Sequence, residues 1–159
     1  KGDYVVAFVS IAYYGDSARA DGPFSVEFED IKFDFSTVKE IVKVVKGKEL
    51  TPPIKPENFE FRHAFSGDLM SDALMILREA DEEFCENGLL ITGNITMQSI
   101  RTAEMLDFAG ILITRGKVPS QQVLDQAYES GIVVIGTNYL SFATCGLLHE
   151  NGIRGFNEE

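Results

Sequence analysis

The chain has 159 residues, of which 45% are hydrophobic and 25% charged, and its net charge is −11. That length suits one domain of ordinary size with a globular composition. The acidic balance argues against nucleic acid as a partner, and no apolar run reaches the roughly 18–20 residues of a membrane span.

Residues 4–14 read as a strand, with Val5, Val6, Phe8, Val9 and Ile11. Ser10 interrupts the run and no cleavage-site pattern follows, so it is not read as a signal peptide. Gly15 to Pro23 is a loop. Phe24, Val26 and Phe28 alternate with polar residues, and Ile31, Phe33 and Phe35 resume the alternation after a slip near Asp30. That predicts a half-buried strand or hairpin with a bulge. Residues 1–35 are therefore expected to form a β-rich extension.

Thr37 and Glu40 have capping-box spacing, and Val38, Ile41, Val42 and Val45 form an apolar stripe that Gly47 ends. Lys39, Lys43, Lys46 and Lys48, interleaved with Glu40 and Glu49, read as a solvated helix face. The proline-rich stretch 51–56 is an extended linker, and Phe59 to Phe65 a short strand. A second helix starts near Ser66 or Gly67, carries Leu69, Ala73, Ile76, Leu77, Ala80 and Phe84 on one face, and stops at Asn87-Gly88.

Three short apolar runs then end alike. Leu89-Leu90-Ile91 breaks at Thr92-Gly93-Asn94, Ile111-Leu112-Ile113 at Thr114-Arg115-Gly116, and Val133-Val134-Ile135 at Gly136-Thr137-Asn138. Gly88, Gly110 and Gly131 precede them at similar spacing. Runs this short and apolar, bounded by Gly, read as fully buried strands. Helical segments lie between them. Asn94 or Thr96 can cap one that buries Met97, Ile100, Ala103 and Leu106. Pro119 suits the first turn of the next, with Val123, Leu124, Ala127 and Tyr128 inward, and Ser141 can cap the last. From Asn151 the tail is polar and expected to fray. Such connections imply parallel strands with right-handed crossovers, which puts all three turns on one sheet edge, where open α/β sheets bind ligands.

From about Ser36 to Gly152 the chain resembles the DRTGG domain, a small α/β module. The resemblance runs through Thr37-Val38-Lys39-Glu40-Ile41-Val42 and Ser66-Gly67-Asp68-Leu69-Met70-Ser71-Asp72. It continues through Leu90 to Asn94, Gly110 to Gly116 and Ile135 to Asn138. It implies a regulatory module like those beside CBS domains, in some phosphate acetyltransferases and inorganic pyrophosphatases, and similar to the N-terminal domain of HPr kinase. Small stand-alone versions are associated with redox and hydrogenase systems. The Asp-Arg of the name is absent, its turn reading Gly93-Asn94-Ile95-Thr96. The expected architecture is thus α/β, a mainly parallel sheet flanked by helices over residues 36–152, with the β-rich extension before it and a polar tail, 153–159, after it.

The chemistry-bearing residues are sparse. Gly110 to Val118 misses a phosphate-binding P-loop: five residues separate the glycines, Val118 follows Lys117, and the strand itself fills the interval. Asp68 and Asp72, four apart on the second helix, could pair as acids, but no His stands at matching spacing. Cys145 and His149 are two ligands and do not close a zinc site. Cys85 and Cys145 read as buried thiols in a reducing cytoplasm. No serine has a convincing His–Asp partner or a Gly-x-Ser-x-Gly setting, so no catalytic residue, metal or cofactor is assigned.

The turn edge is the better candidate. Gly93, Asn94, Thr114, Arg115, Gly116 and Thr137 are expected to bind a small anion or nucleotide, Arg115 supplying the charge-assisted contact. The same residue types also serve as helix caps and turn formers. The expected function is a non-catalytic regulatory or ligand-sensing module, cytoplasmic and homodimeric or bound to a partner protein. One alternative is an enzyme acting on a phosphorylated or acyl substrate, with His63 or the Asp68/Asp72 pair as base. The other is an interaction subunit of a redox or metabolic complex.

Overall fold

A capping box opens the described part of the chain. Thr37 Oγ1 accepts from the Glu40 N–H at 3.4 Å, and the Glu40 carboxylate accepts from the Thr37 N–H at 2.7 Å. This computed structural model describes residues 36–80, 82–156 and 158. The strands expected before Ser36 lie outside the described residues.

β1 (Ser36–Thr37) leads into α1 (Val38–Val44), followed by β2 (Lys48–Glu49), β3 (Glu60–Phe61), β4 (His63–Ser66) and α2 (Met70–Ile76). α3 (Glu82–Glu86), β5 (Gly88–Thr92), α4 (Met97–Met105), β6 (Gly110–Ile113) and α5 (Gln121–Glu129) come next. β7 (Val133–Gly136), α6 (Ser141–Glu150) and β8 (Arg154–Gly155) complete the order. The main sheet runs β2-β7-β6-β5-β4-β8. β4 to β8 are mutually parallel, and β2 joins β7 antiparallel. β1 and β3 form a separate antiparallel pair. The fold is α/β, with a mostly parallel sheet flanked by helices, as the three apolar runs imply.

The pleat sorts those runs onto two faces. Leu90, Ile111, Ile113 and Val134 pack with Met70, Phe84, Ile100, Ala103, Val123 and Ala127. Leu89, Ile91, Leu112, Val133 and Ile135 pack with Ile41, Val45, Leu148 and Ile153. The first face is thus covered by α2 to α5, the second by α1 and α6. Handedness explains the split. From β4 to β7 the chain steps one way across the sheet, so its crossover helices share a face. From β7 to β8 it steps back past β4, so α6 crosses on the other.

Several local expectations are corrected. The second helix is not continuous: a 3-10 turn, Leu77–Glu79, follows α2, and Ala80 is extended before α3. Because α2 starts at Met70, with Leu69 as N-cap, Leu69 and Ile76 are 60% and 41% exposed and Met70 is buried in their place, while Ala73, Leu77 and Phe84 are buried as expected. Asp68 therefore precedes α2 and does not share a helix face with Asp72. Pro119 lies just before α5 and not in its first turn, since Ser120 is the N-cap. Thr96, not Asn94, caps α4, with Ser99 closing the box. Ser141 is the first residue of α6 and makes no cap bond. The tail does not fray at once, since Ile153 is 2% exposed and β8 extends the sheet.

Gly47 also has a different role from the expected one. Lys46 takes the left-handed conformation (φ 46°) after the C-cap Val45, and the Gly47 N–H donates to Val42 O at 2.8 Å. That is a Schellman ending with lysine in the usual glycine place. Glycine is needed one residue later because a Cβ on Gly47 would lie 2.5 Å from Gly136 O.

Candidate functional site

The turns after β5, β6 and β7 meet at the carboxyl edge of the sheet. Arg115 and Gly116 both have left-handed φ, 68° and 65°, which folds the chain sharply out of β6. Their N–H groups donate to Tyr139 O and Thr137 O at 2.8 and 2.9 Å. The Arg115 side chain crosses back over the end of β5. A Cβ on Gly93 would sit 1.8 Å from its Nη2 and 2.0 Å from its Nε, so only glycine leaves room for the guanidinium.

Asp68 holds the other side of this group. The Gly67 N–H donates to Ile91 O at 3.0 Å and carries the β4–β5 pairing one step further, which sets Asp68 beside Gly93. Asp68 Oδ1 accepts from the Gly93 N–H at 2.7 Å and from Thr92 Oγ1 at 3.1 Å. Its Oδ2 accepts from Arg115 Nη2 at 2.7 Å. The Gly93 N–H is the main reason the carboxyl titrates below its ordinary range; burial opposes it as the next largest effect, and Thr92 and then Arg115 add to the lowering. Both side chains remain open to solvent, Arg115 at 40% and Asp68 at 53%.

The threonines serve the edge itself. Thr114 is fully buried, its Oγ1 3.1 Å from Ser141 Oγ. Buried Thr137 donates through Oγ1 to Val45 O at 2.6 Å and accepts from the Tyr139 N–H at 3.1 Å. Thr92 Oγ1 accepts from the Asn94 N–H at 3.1 Å. None of the three caps a helix. Of the six expected ligand residues, Asn94, Arg115 and Gly116 are exposed, Gly93 lies under Arg115, and Thr114 and Thr137 have their hydroxyls engaged.

Gly116 and Thr137 also line a cavity of about 220 Å³ on the far side of the Arg115 turn, with Lys46, Lys48, Lys117, Val118 and Asn138. A larger cavity, about 400 Å³, lies at the β4–β8 edge and includes Cys145, His149, Ile153 and Phe156. His149 Nε2 there is 3.5 Å from Glu158 Oε2. Cys85 is buried and Cys145 half-buried. His63 pairs with Gly88 at the amino end of the strands, its ring 5.0 Å from Phe84, so it is remote from Arg115. Gly110 to Ile113 is strand, as the P-loop argument requires.

Asp68 is the residue that sequence reasoning assigned elsewhere. The signal was present: Ser66-Gly67-Asp68 ends β4 just as the Thr/Gly/Asn turns end its parallel neighbours. Reading it as part of a helix hid the equivalence.

No family model matches the chain, and no curated protein does. Among solved structures it is similar to the CBS and DRTGG domains of the regulatory region of Clostridium perfringens pyrophosphatase, determined with the activator diadenosine tetraphosphate. The TM-score is 0.57 at 17% identity, over 72% of this chain and 46% of that one. This chain therefore spans about half the length of the structure it matches. In fold, the chain is a DRTGG-like α/β module.

Proposed function

We propose that the chain is a non-catalytic regulatory module that senses a small anionic ligand of the nucleotide class at the carboxyl edge of its parallel sheet. The observation that carries this reading is the place of Arg115: a half-exposed guanidinium laid over bare Gly93 backbone where parallel strands end. A guanidinium so placed keeps donors for a phosphate while its orientation is already set. Asn94 and Gly116 flank it, and Thr114 and Thr137 hold the turns. The pyrophosphatase region of similar fold was crystallised with a nucleotide activator, which supports the ligand class.

An anion arriving at Arg115 competes with Asp68, whose carboxylate also orders Thr92 and Gly93 and leads directly into α2. Ligand binding thereby reaches the backbone on both sides of the edge, the differential contact that a sensor needs. The enzyme alternative is weaker. The carboxylate nearest Arg115 is held ionised by the Gly93 N–H, which makes it a poor proton acceptor near neutral pH.

The test is thermal shift and calorimetry against diadenosine polyphosphates, mononucleotides and adenosine. A ligand bound only by the folded state must raise the melting temperature. Arg115→Ala should lower affinity by about one to two decades, the worth of a charge-assisted contact. Unchanged affinity in that variant, or binding of adenosine as tight as of its phosphates, would overturn the site. The reading includes a homodimer, since closed two-fold association is the commonest oligomer and Leu140 and Phe142, 64% and 93% exposed, leave apolar surface uncovered in one chain.

A further inference from the structure

The cavity beside Gly116 lies where the chain changes face. β6 is followed by α5 on one side of the sheet and β7 by α6 on the other, so the two connections diverge and leave a crevice between them. In open α/β sheets such a switch point is where ligands bind. Here the antiparallel edge strand β2 closes the crevice from the side, and its residues complete the lining.

We infer that this switch-point pocket is the phosphate-binding subsite of the ligand, with Lys46, Lys48 and Lys117 as its cations. The inference rests on the reading that an anionic ligand binds at this edge, and it deepens that reading by naming the group bound and the residues that bind it. The chain has 25 acidic residues against 14 lysines and arginines, yet among the described residues three lysines and no carboxylate line this cavity. Among the described residues none of the three has an ion-pair partner, whereas Lys39 is bonded to Glu57 and Arg115 to Asp68. The adjacent acid is turned away: Lys48 and Glu49 alternate across the pleat, and Glu49 is the more buried of the two.

The backbone is shaped to the same end. Lys46 is held at a left-handed φ that costs a non-glycine residue strain, and Thr137 Oγ1 bonds the carbonyl just before it. Gly47, Gly116 and Gly136 lie in the pocket wall because their neighbours pack closely there: a Cβ would meet Gly136 O at Gly47, Asn138 Oδ1 at Gly116 and Leu50 Cδ1 at Gly136. About 220 Å³ is smaller than the roughly 300–1,000 Å³ of pockets that enclose a whole drug-sized ligand. It suits a phosphate or diphosphate group whose remainder lies outside, towards Arg115.

The probe is inorganic pyrophosphate, titrated calorimetrically into the intact chain at low ionic strength. The variants are Lys46→Gly/Lys48→Ala/Lys117→Ala and, separately, Arg115→Ala. Glycine at position 46 removes the charge and suits the left-handed backbone, so the triple variant keeps its fold, verified by its unfolding midpoint. The expected result is binding to the parent chain that weakens about tenfold or more in the triple variant. Arg115→Ala, which removes the neighbouring guanidinium, should weaken it less than the triple variant does, and added salt should weaken it. No pyrophosphate binding by the parent, or equal binding by the triple variant, would overturn the subsite. Loss in Arg115→Ala alone would place the phosphate at the guanidinium instead. Nucleotide binding that survives any of these failures leaves the sensor reading standing.

Discussion

The Arg115 guanidinium occupies the space that a side chain at position 93 would need. Nη2 lies 1.8 Å from where a Cβ would be built on Gly93, and the same nitrogen bonds Asp68 at 2.7 Å. Three residues from the ends of three segments are thereby placed as one unit, and each can be altered alone.

Gly93→Ala should separate the unit at little cost to the fold. The clashing atoms are the far end of a flexible arginine, and the ion pair lost is solvent-exposed, so stability should change by less than about 1 kcal/mol. Arg115-dependent nucleotide affinity should fall with it. A urea midpoint together with calorimetry separates the two effects, and an affinity equal to the parent's would refute the stacked geometry.

Asp68→Asn should flatten the acid limb of the stability profile. The native carboxyl titrates below its unfolded range, chiefly because of the Gly93 N–H. Its contribution is therefore complete above the unfolded value of about 4 and disappears as pH falls through the lower native one. Solvent screening limits it to about 1 kcal/mol or less. Urea midpoints between about pH 2.5 and 6 should converge for parent and variant at the acid end and diverge above it.

Thr137→Val should be the most damaging of the polar substitutions at the edge. It leaves Val45 O and the Tyr139 N–H without their partner in a buried setting, a loss of about 1–3 kcal/mol. Thr137→Ser, which keeps the hydroxyl, should recover most of that. Denaturant unfolding measures both, and equal losses would show that the methyl matters more than the bonds.

Gly47→Ala should destabilise by about 1–3 kcal/mol, because the clash is with backbone that cannot rotate away. The new Cβ would lie 2.5 Å from Gly136 O and push β2 off β7. Hydrogen exchange at Leu50, whose N–H donates to Val134 O at 2.7 Å, should quicken along with the fall in midpoint.

A homodimer should appear in sedimentation equilibrium at micromolar concentration. Phe142→Ser should then shift association towards monomer without lowering the monomer's stability, since Phe142 is 93% exposed. A parent chain that sediments as monomer would remove this expectation.

The core of this protein could be read from its sequence because burial on both sides leaves an unmistakable trace. Leu89 to Ile91, Ile111 to Ile113 and Val133 to Ile135 are continuous apolar runs, and only strands covered on both faces need them. The Thr37–Glu40 box was equally legible, being closed within four neighbouring residues. What the tertiary structure alone decided concerns residues whose partners are distant in the chain. Asp68 belongs to the edge because β4 lies beside β5; the Ser66-Gly67-Asp68 turn marks a strand end in the sequence, but not which strand is its neighbour. Lys46 and Lys48 look like the solvated face of a helix until β2 pairs with β7 and brings them to Gly116 and Lys117. Local periodicity records which side of an element is buried; which elements become neighbours, and so which charges meet, is settled only when the sheet order is formed.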